Sequence, residues 1–174
     1  MSTAEPATPT AVPTLPDAWR QGPPAGAVPD TSACAGCAPT RFVPGGLGRV
    51  EVAGPETAAE VLVPLVGFRD RERCVAAFLD TKHRLLGTAT VSIGSIDHTF
   101  MAPREVFRDA LLANASALVL AHNHPSGDPE PSRDDELVTR RLARAGEMLG
   151  VDLLDHLVVG GTTWTSLARR GVVT

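Results

Sequence analysis

Cysteine is scarce in this 174-residue sequence, with three in all, and that excludes a small fold built on disulfides. Cys34 and Cys37 have Cys-x-x-Cys spacing, which could be half a zinc site or a redox pair. No second pair completes such a site, Cys74 alone would be a poor third ligand within a strand, and reduced exposed thiols are the expectation. Apolar runs are short: none approaches the roughly 20 residues that cross a bilayer, and the first residues carry no apolar leader, so the expected location is cytoplasmic with no membrane contact. Positive charge is not in excess either. Sixteen Lys and Arg against twenty Asp and Glu, a formal net charge of −4, argue against strong non-specific binding to a nucleic-acid backbone. Local clusters at Arg140, Arg141 and Arg144, and at Arg169 and Arg170, read as solvated features near helix ends. There is no internal repeat.

What is present divides unevenly. Nine of the fifteen prolines fall in the first 45 residues, where apolar periodicity is weak. Residues 1–50 therefore read as a disordered Pro/Ala-rich tail and residues 51–174 as one domain, whose start falls between Val43 and Pro55. Proline-rich tracts such as Pro6 to Pro16 could dock in a partner groove, although most such tracts are spacers. The domain pattern predicts a helix over Pro55 to Val66, a strand at Arg73 to Leu79 and a turn at Asp80 to His83. Strands at Leu85 to Ile93 and Ile96 to Phe100 and a helix from Pro103 to Asn114 follow.

The chemistry concentrates after the buried-strand run Ala117 to Ala121. His122 and His124 stand two apart, so in an extended chain they point the same way while Asn123 faces elsewhere. Pro125, Pro129 and Pro131 stiffen the following loop. Ser132 then reads as the N-cap of a helix running to Met148 or Leu149 and closed by Gly150. Asp135 falls in the first turn of that helix, facing back toward the strand end. A His, His, Asp set of this kind suits zinc and leaves a fourth tetrahedral position for water, which is the arrangement of a catalytic metal rather than a structural one. The competing reading is plain: Ser132 with Asp135 is also an ordinary helix cap, and loop histidines often only meet solvent.

The segment His122-Asn123-His124-Pro125-Ser126-Gly127, with Pro131-Ser132 and Asp135, resembles the JAB/MPN+ (JAMM) metalloprotease motif, and more closely its RadC-type branch. Glu72 ahead of Ala76 to Asp80, Pro103 to Phe107, and Leu154-Asp155-His156 with Gly160 agree with that branch, and the resemblance covers Pro55 to Val173. It implies an α/β fold of the cytidine deaminase-like type, a mixed sheet flanked by helices. It also implies that His122, His124 and Asp135 ligate the metal, that Glu72 is the general base, and that Ser132 helps hold the tetrahedral oxyanion. The implied reaction is hydrolysis of a peptide or isopeptide bond. RadC-type proteins commonly carry a helix-hairpin-helix region, which residues 1–54 are too proline-rich to encode, and this weakens a DNA-repair role.

Other assignments compete with these. On spacing alone Glu72 belongs to a charged cluster, Arg69 to Arg73, of the kind that is usually solvated. Glu105 suits the first turn of a helix through its charge. Asp155 and His156 fall in an apolar strand pattern over Val151 to Val159, where a histidine is more often hydrogen-bonded in the core than a ligand. His83 and His98 read as surface residues in turns. Two further functions remain open on the sequence: a DNA-repair-associated protein that binds or processes nucleic acid, and a non-catalytic interaction module. The intact ligand set argues against the latter.

Overall fold

The computed structural model describes residues 43–44, 50–94 and 101–173. The expected tail over residues 1–50, the Cys34–Cys37 pair, His98 and the expected strand Ile96 to Phe100 lie wholly or largely outside them.

Local signals open and close the elements. Helix α1, Pro55–Val66, has proline at its first position, where the missing N–H costs nothing. The Thr57 hydroxyl accepts from the Gly54 N–H at 3.1 Å just ahead of it. Strands β2, Arg73–Leu79, and β3, Leu85–Ile93, form a hairpin. In its turn Asp80 accepts from the backbone N–H groups of Lys82 and Arg84. Helix α2, Pro103–Leu112, ends two residues before Asn114, which takes the left-handed conformation at φ 53°. Strand β4 is Ala117–Asn123, buried throughout. Helix α3, Arg133–Leu149, starts at the Ser132 cap and stops at Gly150, whose φ of 70° suits a residue without Cβ. Strands β5, Asp152–Gly160, and β6, Thr163–Ser166, close the domain. Val43–Pro44 adds a short strand, β1, ahead of residue 51.

The six strands form one mixed sheet in the order β1-β3-β2-β4-β5-β6, in which β4 and β5 run parallel and every other pair is antiparallel. Period-two alternation divides the side chains of the central strands between two apolar layers. Ala77, Leu79, Val119 and Ala121 pack with Ala58, Ala59, Leu62 and Val66 of α1. Ala76, Phe78, Leu118 and Leu120 pack with Val106, Phe107 and Leu142 of α2 and α3. The sheet is thus covered on both faces, which explains why β2 and β4 are almost continuously apolar. Among the described residues no helix is long and apolar enough to cross a membrane.

One irregularity in the sheet decides where His156 points. The β4–β5 register runs Leu118↔Leu153 and then Val119↔Asp155, leaving Leu154 without a partner. Plain alternation from Leu153 would send His156 to the α1 face. The shift by one residue turns it to the α2/α3 face instead, opposite Leu120 and beside His122.

Candidate metal centre

Three donor groups meet where β4 ends. His122 is its penultimate residue and is buried; His124 follows the strand, its backbone N–H donating to the Val159 carbonyl at 2.9 Å; Asp135 is the third residue of α3. The Nε2 atoms of the two histidines are 3.1 Å apart. Asp135 Oδ1 lies 3.2 Å from His122 Nε2 and Oδ2 lies 3.5 Å from His124 Nε2. The ligand atoms of all three fall within 4.8 Å of one another.

The loop between His124 and α3 lies against β5 because Gly160 lets it approach. A Cβ there would stand 2.2 Å from the Gly127 carbonyl oxygen. The Ser132 cap then sets the carboxylate. Its backbone N–H donates to Asp135 Oδ2 at 2.7 Å, its hydroxyl donates to the same oxygen at 2.6 Å, and Asp135 N–H donates back to the hydroxyl at 3.1 Å. Capping and ligand placement are therefore one structure, and the two readings of Ser132 and Asp135 do not exclude each other.

Hydrogen bonds behind the donors establish which ring nitrogens face inward. The Thr139 hydroxyl lies 2.6 Å from the Asp135 carbonyl oxygen, and since a carbonyl only accepts, the hydroxyl hydrogen is committed there. Thr139 Oγ1 must then accept at 2.6 Å from His156 Nδ1–H. Complete burial holds the His156 imidazole well below its usual pKa, so it is neutral and its Nε2 is a lone-pair acceptor. That nitrogen lies 2.8 Å from His122 Nδ1, which must donate. A neutral His122 with Nδ1 donating presents the lone pair of Nε2 toward Asp135. On the other side His124 Nδ1 donates to the Asp128 carbonyl at 2.8 Å, which leaves its Nε2 to serve as a ligand too.

Two imidazole lone pairs and a carboxylate facing one another at these distances repel unless a cation or a proton sits among them. The donor set thus fits a metal ion, and nitrogen with oxygen ligands suits a borderline ion such as zinc. Burial would raise the Asp135 pKa, but hydrogen bonding with His122, His124 and Ser132 outweighs it and holds the carboxyl well below its usual range. The His124 pKa is raised, chiefly by the Asp135 carboxylate against the effect of burial, with the Asp128 carbonyl and the Glu72 charge adding to it.

Glu72 adds to that shift through its charge alone. It lies just ahead of β2, half-buried, while Arg69, Asp70 and Arg71 of the same cluster are exposed. Its backbone carbonyl accepts from the Gly94 N–H at 2.9 Å, and its charge is felt at His124. Glu105 is exposed in the first turn of α2, and His83 is exposed in the β2–β3 turn. Cys74 pairs in register with His122, yet burial pushes its thiol up to about 12, so it stays a neutral neighbour. Asp155 ties the end of the chain to the sheet through the N–H groups of His156 and Ala168 and the Ser166 hydroxyl. Thr139 carried no signal in the sequence beyond its place four residues after Asp135.

A sheet covered by helices on both sides, with a His-His-carboxylate cluster at the end of its central strand, defines a JAB-type domain. The family model described as RadC-like JAB domain matches residues 52–172, and the chain belongs to that family. It is 44% identical over 127 residues to a UPF0758 protein of Moorella thermoacetica, 73% of this chain and 56% of the relative. A UPF0758 protein of Geobacillus sp. is 41% identical over 126 residues, 72% and 56% respectively, and one of Methanosarcina acetivorans is 39% identical over 123 residues, 71% and 54%. The chain spans about half the length of the curated relatives it matches.

Proposed function

We propose that this chain is a zinc-dependent hydrolase that cleaves a peptide or isopeptide bond. His122, His124 and Asp135 would hold the metal, which there would supply Lewis acidity toward the carbonyl and a water of near-neutral pKa. Glu72 takes the proton of the attacking water on its carboxylate and delivers it to the departing amine nitrogen, which couples nucleophile activation to leaving-group protonation. Ser132 supplies a hydroxyl for the developing oxyanion, turning from Asp135 Oδ2 to do so. His156 and Thr139 keep His122 in the tautomer a ligand needs, a role that outer hydrogen-bond partners commonly play around zinc.

One observation carries this reading: the Nε2 atoms of two imidazoles, each hydrogen-bonded through Nδ1 on the far side of its ring, come together with a carboxylate, all ligand atoms within 4.8 Å of one another. Processing of nucleic acid has less support. Arg140, Arg169 and Arg170 are each paired with a glutamate, Glu136, Glu56 and Glu130, which leaves less free positive charge to meet phosphates. An interaction module has no requirement for the tautomer-setting pair.

The first test is metal content by elemental mass spectrometry, for the parent chain and for His122→Ala and Asp135→Ala. About one zinc per chain, absent from both variants, followed by turnover of a peptide or isopeptide substrate that Glu72→Gln abolishes with its zinc retained, is the expected result. No zinc after reconstitution would overturn the proposal.

A further inference from the structure

Between the two histidines stands a residue that the metal does not use. Asn123 is 1% exposed and pairs with Val159, which packs in the α1 layer, so it faces the side of the sheet opposite to His122. Its side-chain amide is fully engaged. Oδ1 accepts from the Arg73 N–H at 2.9 Å, and Nδ2 lies 3.1 Å from the Arg71 carbonyl and 3.4 Å from that of Arg69. Arg69 and Arg71 belong to the segment that joins α1 to β2 and Arg73 is the first residue of β2, so the partners bracket Glu72 on both sides.

We propose that Asn123 is a positioning residue that fastens the Glu72 segment to the metal strand, so that the base and two of the metal ligands move as one body. The inference rests on the reading of Glu72 as the base. Its physical content lies in the match of valences. The segment presents one donor and two acceptors to the end of β4, and a carboxamide is the side chain that offers one acceptor and two donors on a short stem. Aspartate would set a carboxylate against two carbonyl oxygens, and an apolar residue would strand all three backbone groups. The need for such a fastening follows from the local chain. Residues 67–72 belong to no helix or strand, and Phe68 takes a left-handed conformation at φ 56° that a bulky side chain rarely adopts. Residues held this way by neighbours rather than by their own propensity depend on those neighbours for order. The strand thus uses both of its faces at one point: His122 and His124 hold the ion, and Asn123 holds the backbone from which Glu72 reaches toward it.

The test uses the full zinc-loaded chain and the variants Asn123→Asp and Asn123→Ala. Asn123→Asp is isosteric and keeps the acceptor for Arg73 N–H, so it carries the test should Asn123→Ala fail to fold. Both are expected to bind zinc with unchanged stoichiometry. Amide exchange over residues 68–73 and trypsin cleavage after Arg69, Arg71 or Arg73 are expected to accelerate by about tenfold or more, the effect of losing buried hydrogen bonds. After cadmium replaces zinc, the cadmium-113 resonance should shift in the direction produced by Glu72→Gln, because the carboxylate has withdrawn. A segment as protected as in the parent chain, or a resonance that stays put while Glu72→Gln moves it, would overturn the inference. A Glu72→Gln variant with unchanged resonance and unchanged turnover defeats the base assignment instead, and the exchange and cleavage rates still decide whether Asn123 holds the segment.

Discussion

Two halves of one buried stripe differ in what they do. Along α3 the buried positions are Asp135, Thr139, Leu142 and Gly146, one stripe on a single helix face. In the second half Leu142 and Gly146 meet an apolar layer, and Gly146 lies so close to Val151 and Phe107 that a Cβ would stand 2.4 Å from the Val151 carbonyl oxygen. In the first half Asp135 and Thr139 meet His122 and His156. Both halves are buried. The apolar half gains stability from burial, whereas the polar half spends its hydrogen bonds on direction: each partner fixes the orientation of the next until His122 Nε2 faces Asp135.

Breaking the polar half at its inner end should have the largest effect. Asp135→Ala is expected to abolish measurable zinc binding in competition with a chromogenic chelator, since it removes the carboxylate donor and leaves two histidines alone. In the apolar half, Phe107→Ala should lower unfolding free energy by about 3–5 kcal/mol in urea titrations, the usual result of emptying a core aromatic site, with zinc affinity at saturating fold nearly intact. Equal losses of zinc affinity in the two variants would erase the distinction between the halves. His156→Leu removes the acceptor for His122 Nδ1–H without touching the ion, and a weakening of zinc affinity by about 10- to 100-fold is expected.

Acidity sharpens the same contrast. The lowered pKa of buried His156 means that the unfolded chain binds a proton the folded chain refuses, so metal-free stability falls as pH drops below about 6.5, by up to about 1.4 kcal/mol per pH unit. The lowered pKa of Asp135 adds a further loss as pH falls into the carboxylate range. His124 acts in the opposite direction: its raised pKa gives stability that is present in full below about 6.5 and is lost as pH rises toward the folded value. Denaturant unfolding in the presence of a chelator should therefore show a maximum near pH 6.5. Saturating zinc should remove the alkaline decline, because the metal takes the place of the proton. A profile indifferent to zinc above pH 6.5 would contradict these assignments. The smallest effect is expected outside the stripe, at the exposed pair formed by Glu130 and Arg170: Glu130→Gln should leave both the melting temperature and zinc affinity unchanged, as solvent-exposed ion pairs usually do.

Local chemistry made much of this legible. Pro55, Pro103, Ser132 and Gly150 mark helix boundaries through properties of the individual residue, and α1, β2 and β3 occupy the ranges their patterns predict. The spacing of His122 and His124 placed both on one side of a strand because side-chain direction has period two, and their nitrogens do meet. Glu72 was less legible, since its neighbours in the cluster are exposed and its charge is felt at His124 only across about fifty residues of sequence.

The order of the elements and the three donors thus follow from periodicity and caps written along the chain, while the mixed sheet flanked by helices was implied by the resemblance to the JAB family. Which nitrogen of His122 faces inward does not, because that depends on His156 lying beside it. His156 lies there because the β4–β5 register slips by one residue at Leu154, and pairing register is settled between strands more than thirty residues apart. The use of Asn123 was hidden for the same reason: its partners lie 50 to 54 residues away, and only the folded sheet brings them to the back of the metal strand.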